Sequence, residues 1–318
     1  MKALFFNGSN LELQERPIPE NGEGESLVRV LLAGICRTDL EILKGYMNFV
    51  GIPGHEFVGE VVKSANPKLV GKRVVGEINA GCGSCDSCRH GMERHCSNRT
   101  VLGISGRDGA FAEYLTLPDS NLLEVPALVS NEKAVFVEPL AAALEILEQI
   151  HLPPASRVLI IGDGRLSFLI SLVLRLTGCD FIVLAKHRNK VKLFEEIGAR
   201  VALLDDLKDA RGRFDFVVEA SGSPSGWTLA TEFVKPRGVM ILKSTYHENL
   251  EFNAAILVIN EITILGSRCG QFLPALRLLA CDVVDPTMLI SDSTSLDEYS
   301  SAFSKAQTPG VFKVLLRM

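Results

Sequence analysis

The chain has 318 residues, 47% hydrophobic and 22% charged, with a formal net charge of −5. That length allows two domains with ample core, and that balance is the composition of a soluble globular protein. The charge gives no reason to expect nucleic acid or a membrane as partner, and the longest apolar run, FLISLVL from Phe168, is too short to cross a bilayer and ends at Arg175.

The opening MKALFFNG is interrupted by Asn7 and Gly8 before it can form the apolar stretch of an export signal, so a cytoplasmic location is expected. Residues 1 to about 125 carry short β-type runs, LVRVLLAG, FVGEVV, KRVVGEI and FAEYLTLP, separated by the turn signals NG, NP and RDG. These predict an irregular all-β domain. Within it, Cys36 follows a strand-like run in GICRTDL, and His55 and Glu56 stand together in PGHEFVGEVV. One thiolate, one imidazole and one carboxylate can hold Zn²⁺ and leave a fourth position open. Glu138, in FVEPLAAALEIL, is a third candidate ligand. Zinc in an open site acts as a Lewis acid on an alcohol or carbonyl, and the hydroxyl of Thr38 is available to pass on a released proton. Taken singly, each residue has an ordinary structural role: a core cysteine, a turn histidine beside Gly54, a glutamate at a helix start. Their combination carries the reading.

The next loop spaces Cys82, Cys85, Cys88 and Cys96 as C-x2-C-x2-C-x7-C. Four thiolates close a tetrahedral zinc with no open position, which predicts a structural site and not a catalytic one. Arg89, His90, Arg94 and His95 can offset its negative charge, while Gly81, Gly83 and Gly91 permit tight turns. Cys179, Cys269 and Cys281 are scattered and read as small packed side chains. Thiolate–metal chemistry fits a reducing compartment better than disulfides do.

From about residue 155 strand-like and helix-like runs alternate, RVLII, LSFLISLVLRL, FIVLA, NKVKLFEEI and RVALL, then FDFVVEA, WTLATEFV and GVMILK. This predicts βαβ units and a parallel sheet. The helix-like PLAAALEILEQI and Pro153-Pro154 mark a hinge before it. In RVLIIGDGRLS, Gly162 permits the tight turn, Gly164 lets backbone approach a pyrophosphate, and Arg165 and Leu166 open the helix that receives it. Ser167 stands where a third glycine is usual. An NAD-preferring fold places an acid at the end of its second strand. Here FIVLA ends at Ala185 and continues Lys186-His187-Arg188, which predicts NADP(H), with NAD(H) second. The closing FKVLLRM reads as a strand returning to the first domain.

GICRTDL, PGHEFVGEVV, GCGSCDSCRHGMERHC, RDGAFAEYLTLP, VEPLAAAL and VLIIGDGRLS, in that order, resemble the segments of the zinc-containing medium-chain dehydrogenase/reductase family, the alcohol dehydrogenase-like group. The resemblance spans nearly the whole chain. It implies a co-chaperonin-like irregular β-barrel domain, residues 1–135 and 270–318, with a Rossmann doubly wound parallel-sheet domain, residues 136–269, and an active site in the cleft between them. It implies Cys36, His55 and Glu138 as ligands of a catalytic zinc, with Glu56 as alternate ligand, and Cys82, Cys85, Cys88 and Cys96 as ligands of a structural one. A glutamate at the third position is similar to the polyol and threonine dehydrogenase branches. The implied activity is hydride transfer between NADP(H) and a small alcohol or polyol, or its aldehyde or ketone, in a homodimer or homotetramer. Two rival readings are a zinc-free quinone-type reductase and a non-catalytic NADP(H)-binding redox sensor. The chain departs from the family pattern in three places. Leu40 and Glu41 stand where a relay histidine is common, Asp163 lies between the two glycines, and only 18 residues separate Cys36 from His55, which points to trimmed substrate loops. Lys44, Arg107 and Arg268 hint at a polar or anionic substrate.

Overall fold

The computed structural model describes residues 1–245 and 250–318, and the chain divides into two units. One comprises Met1–Glu138 with Gln271–Met318, the other Pro139–Gly270. Among the described residues no helix is long and apolar enough to cross a membrane.

The first unit opens with an antiparallel pair, β1 (Lys2–Phe6) and β2 (Leu11–Glu15). The ten-residue β3 (Glu25–Gly34) follows, burying Ser26, Val28, Val30 and Leu32 on one face, the period of two that a half-covered strand requires. After the short helix α1 (Arg37–Ile42) come β4 (Glu56–Lys63), β5 (Arg73–Gly76) and β6 (Asn79–Ala80). The cysteine-rich loop, which carries no apolar period, still folds one turn of helix, α2 (Asp86–Arg89). Strands β7 (Thr100–Leu102), β8 (Gly106–Arg107), β9 (Tyr114–Pro118) and β10 (Leu122–Glu124) complete this stretch, and α3 (Asn131–Ala134) starts on a Ser130 side-chain cap. The helix α4 (Val137–Gln149) runs from this unit into the next.

The second unit alternates β11 (Arg157–Ile161), α5 (Arg165–Leu174), β12 (Asp180–Leu184), α6 (Arg188–Glu196), β13 (Arg200–Ala202), β14 (Phe214–Glu219), α7 (Pro224–Phe233), β15 (Val234–Leu242), α8 (Ala255–Ile259) and β16 (Thr263–Gly266). All six strands are parallel and lie in the order β13-β12-β11-β14-β15-β16. That is the doubly wound dinucleotide-binding order, which reverses between β11 and β14. Val158, Leu159, Ile160 and Ile161 are all buried, as a central parallel strand covered on both faces must be. Phe168 of α5 meets Phe194 of α6 edge-on, with ring centroids 5.5 Å apart. On β14 and α7, Phe214, Trp227 and Phe233 build a second cluster with Leu159, Ile161 and Met240.

The chain then returns to the first unit with α9 (Phe272–Ala280), β17 (Ile290–Ser295), α10 (Tyr299–Ala306) and β18 (Lys313–Arg317). β18 lies between β3 and β17 in the seven-stranded sheet β10-β5-β4-β3-β18-β17, with β9 also on β3. Apart from the parallel pair β17–β18 this sheet is antiparallel.

Candidate active site and metal centres

Antiparallel register assembles the first centre. Gly34, the last residue of β3, pairs with Glu56, the first of β4. Cys36, two residues beyond Gly34, and His55, one before Glu56, therefore emerge at the same end of the sheet. Their three ligand atoms, one each from Cys36, His55 and Glu56, all lie within 4.8 Å of one another. A side chain at Gly34 would push on this group, because its Cβ would stand 2.6 Å from a Glu56 carboxylate oxygen. Glu138, half-buried in the first turn of α4, lies outside this group.

Two buried groups brace the cluster. Asp39 is completely buried and accepts a 2.7 Å hydrogen bond from the Cys36 backbone N–H, which fixes the start of α1. Its other oxygen lies 3.2 Å from Nδ1 of His55, close enough for an ion pair but too poorly aligned for a hydrogen bond. Burial opposes a charge on His55, yet Asp39 and Cys36 outweigh it and hold the imidazole well above its ordinary range. With Nδ1 turned to Asp39, Nε2 is the ring nitrogen presented to a cation, the orientation that a supporting carboxylate imposes on metal-ligating histidines. Lys313 of β18, itself buried, pairs with the Glu56 carboxylate and also faces the Phe136 ring at 5.7 Å. The Cys36 thiol donates towards the Thr38 hydroxyl oxygen over 3.8 Å. A buried sulfur, nitrogen and oxygen donor set with imperfectly satisfied Asp39 and His55 atoms fits a zinc ion.

The second centre brings Cys82, Cys85, Cys88 and Cys96 into one group, with Cys85 Sγ 3.5 Å from Cys88 Sγ and 3.6 Å from Cys96 Sγ. Positive φ at Gly83 and Gly91 turns the loop around them, and a Cβ at Gly81 would stand 2.9 Å from Cys88 Sγ. Crowding drives the thiols apart in acidity. Hydrogen bonds from the Ser84 backbone and hydroxyl lower Cys82 to about 6, whereas burial beside Cys85 raises Cys88 to about 12. Four sulfurs at this spacing are the donor set of a closed zinc site. His90 is exposed, with Nδ1 2.8 Å from the Asp86 carbonyl.

At the nucleotide loop, Gly162 has φ +121° and packs on the end of β14, where an added Cβ would meet the Ala220 carbonyl at 2.8 Å. Gly164 is the N-cap of α5, and an added Cβ there would meet nothing within 4 Å. The backbone at Gly164 thus has room beside it where α5 begins, at the switch point of the sheet, which fits a pyrophosphate. Ser167, in the place of the third glycine, is buried with its hydroxyl unpartnered. Lys186, His187 and Arg188 follow β12 with exposed side chains. Asp163 turns inward to this same segment.

Of the cations that hinted at a polar substrate, Arg107 is tied to Glu25 at 2.7 Å, Thr100 and the Thr116 carbonyl, and Lys44 to Glu41 at 3.2 Å. Glu41 also pairs with Arg37 at 2.8 Å, and despite the opposing effect of partial burial these cations hold its carboxyl below the usual range. Asp39 and Lys313 are missed by sequence reasoning. Asp39 had a local signal, an acid three residues after a helix cap. Lys313 had none, since it reaches Glu56 across 257 residues.

Residues 22–127 match the alcohol dehydrogenase GroES-like domain, and residues 168–280 match the zinc-binding dehydrogenase family. A sorbitol dehydrogenase of Halalkalibacterium halodurans is 28% identical over 342 residues, covering 99% of this chain and 99% of its own. The solved structure of the short chain alcohol dehydrogenase rspB of Escherichia coli CFT073, complexed with NADH, is similar with a TM-score of 0.93 and 26% identity, covering 100% of this chain and 99% of that one. A zinc-binding dehydrogenase from Sinorhizobium meliloti 1021, bound to NADP, gives a TM-score of 0.91 and 29% identity, covering 100% and 99%.

Proposed function

Because the chain belongs to the zinc-containing, alcohol dehydrogenase-like group of the medium-chain dehydrogenase/reductase family, we propose that it transfers a hydride between NADP(H) and a small alcohol or polyol, or the aldehyde or ketone formed from it. It is an oxidoreductase acting on alcohols. The meeting of Cys36, His55 and Glu56 ligand atoms within 4.8 Å carries this reading. In it, Cys36, His55 and Glu138 hold a catalytic zinc, with Glu56 as the alternate ligand, and Cys82, Cys85, Cys88 and Cys96 hold a structural one. The catalytic ion supplies Lewis acidity to the reacting oxygen. Asp39 orients His55, Lys313 offsets the charge of Glu56, and Thr38 takes the substrate proton and passes it on. Leu40 is buried hydrocarbon and Glu41 is already engaged by two cations, so neither serves in that relay.

Gly162, Gly164, Arg165 and Leu166 receive the pyrophosphate. Lys186, His187 and Arg188 receive the 2′-phosphate, and the absence of an acid after β12 supports NADP(H) over NAD(H). A polyol substrate is supported by the sorbitol dehydrogenase relative. In this reading residues 1–135 with 270–318 carry the chemistry and 136–269 the cofactor, in a cytoplasmic homodimer or homotetramer. Metal analysis should find two zinc ions per chain. Turnover over a panel of polyols and small alcohols should favour NADP⁺ over NAD⁺. Cys36→Ser should lose one metal and roughly a thousandfold in rate, the equivalent of about 4 kcal/mol of transition-state stabilisation. Full activity in that variant would end the catalytic-zinc assignment, and equal use of NAD⁺ would end the cofactor assignment.

A further inference from the structure

We propose that Asp163 is a positioning residue for cofactor selection: it holds the loop between β12 and α6 in the shape that presents Lys186 and Arg188 to a nucleotide 2′-phosphate. The inference deepens the NADP(H) reading and rests on it.

Asp163 sits between the two glycines of the first loop, yet its carboxylate belongs to the second. One oxygen accepts from the backbone N–H groups of Lys186 at 3.0 Å and His187 at 2.8 Å, and from His187 Nδ1 at 2.8 Å. The other accepts from Lys190 Nζ at 3.1 Å. A carboxylate offers about four lone-pair sites, so four donors leave it almost no capacity for a ligand. Because a carboxylate only accepts, His187 Nδ1 carries the proton and Nε2 faces outward. Asp163 is 6% exposed.

This inverts the arrangement of an NAD-selective fold. There the acid at the end of the second strand points outward and binds the ribose diol. Here the acid comes from the neighbouring loop, points inward, and has its charge offset by Lys190. The side chains left facing solvent are Lys186, His187 and Arg188. His187, the N-cap of α6, makes no side-chain cap of its own that could share the work. Without the carboxylate, two backbone donors, the His187 imidazole and one ammonium lose a charge-assisted acceptor together, and the loop must rearrange to satisfy them.

The test uses the full-length, zinc-loaded protein and two dead-end ligands, 2′,5′-ADP and 5′-AMP, titrated by calorimetry. Their affinity ratio isolates the 2′-phosphate and needs no turnover. In the wild type 2′,5′-ADP should bind about tenfold or more tightly than 5′-AMP. In Asp163→Ala that ratio should fall about tenfold, with 5′-AMP binding little changed. Asp163→Asn keeps an oxygen for the backbone donors and should recover part of the ratio. Circular dichroism checks that each variant is folded. An unchanged ratio in the alanine variant overturns the role of Asp163, as does a parallel loss of both ligands. A higher ratio in both variants also overturns it, because the acid would then be acting only as a repulsive charge. If the wild type itself shows no preference, the NADP(H) reading fails first and this inference fails with it.

Discussion

A carboxylate buried among metal ligands must be balanced by something besides the metal. Glu56 is 1% exposed and Lys313 is 2% exposed, so each charge depends on the other. Leaving one charge of such a pair alone costs about 3–5 kcal/mol. Glu56 is thus held by an ammonium as well as being available to a cation, which fits its proposed place as the alternate ligand of the catalytic zinc. Asp163 is the second buried carboxylate whose neighbours decide its chemistry. Burial pushes its carboxyl upward, but the His187 backbone donor and Lys190 overcome that and bring it below the ordinary aspartate value of 3.8. A depressed acid adds stability above the ordinary value, and that stability is lost as pH falls through the folded one. The melting midpoint of the wild type should therefore exceed that of Asp163→Asn at pH 7, and the gap should close as pH is lowered below about 4. A gap that stays constant down to pH 3 would mean that the charge of Asp163 contributes nothing to the fold.

At the scale of the element, the cysteine-rich loop tests how far a cross-link can replace a core. Between Cys82 and Cys96 only Cys88 and Cys96 are buried, and the helix α2 is a single turn, too short to persist by itself. On the proposed structural zinc site, its order would rest on the four sulfurs converging on one ion. Chelation, or Cys96→Ser, should remove one zinc and open the loop, making the exposed Arg89 a site of rapid tryptic cleavage while β3 and β4 stay protected. The cost in stability should exceed about 4 kcal/mol, a range reached when a metal or a core group is lost. Resistance to trypsin in metal-free protein would show that packing alone holds the loop. This cluster was legible in the sequence because its members are local, four cysteines within fifteen residues. The parallel sheet was legible for a similar reason, since β11, β12 and β14 each read as an apolar run followed by a helical period. The Glu56–Lys313 pair was not, because strand order brings β18 beside β3, and no local pattern encodes which distant strand becomes a neighbour. The partners of Asp163 on the loop after β12 were hidden too. The sequence shows an acid between two glycines, and only the course of the following loop decides whether it faces the cofactor or the protein.

For the whole molecule, the outer edge of the second unit is the feature that a single copy leaves unresolved. Among the described residues β16 pairs with β15 on one side only and ends the six-stranded sheet. Its sequence, TILG, carries neither the lysine nor the proline with which edge strands block further pairing. The helix just before it exposes Val258 and Ile259, 77% and 78% accessible, with Ile256 at 38%. Unpaired strand edges and adjacent apolar side chains are both satisfied if two copies meet about a twofold axis, because such an interface is self-complementary and closes. We therefore expect the wild type to run as a dimer or larger in light scattering. Val258→Glu with Ile259→Glu should weaken that assembly while both zinc ions stay bound, since neither residue is near a metal ligand in sequence. The product separates the two expected states. A dimer built on this edge alone should fall to monomers, whereas a tetramer with a second interface elsewhere should stop at dimers. A wild type that is monomeric at micromolar concentration, or a double variant with unchanged mass, would show that the edge is capped by some other means.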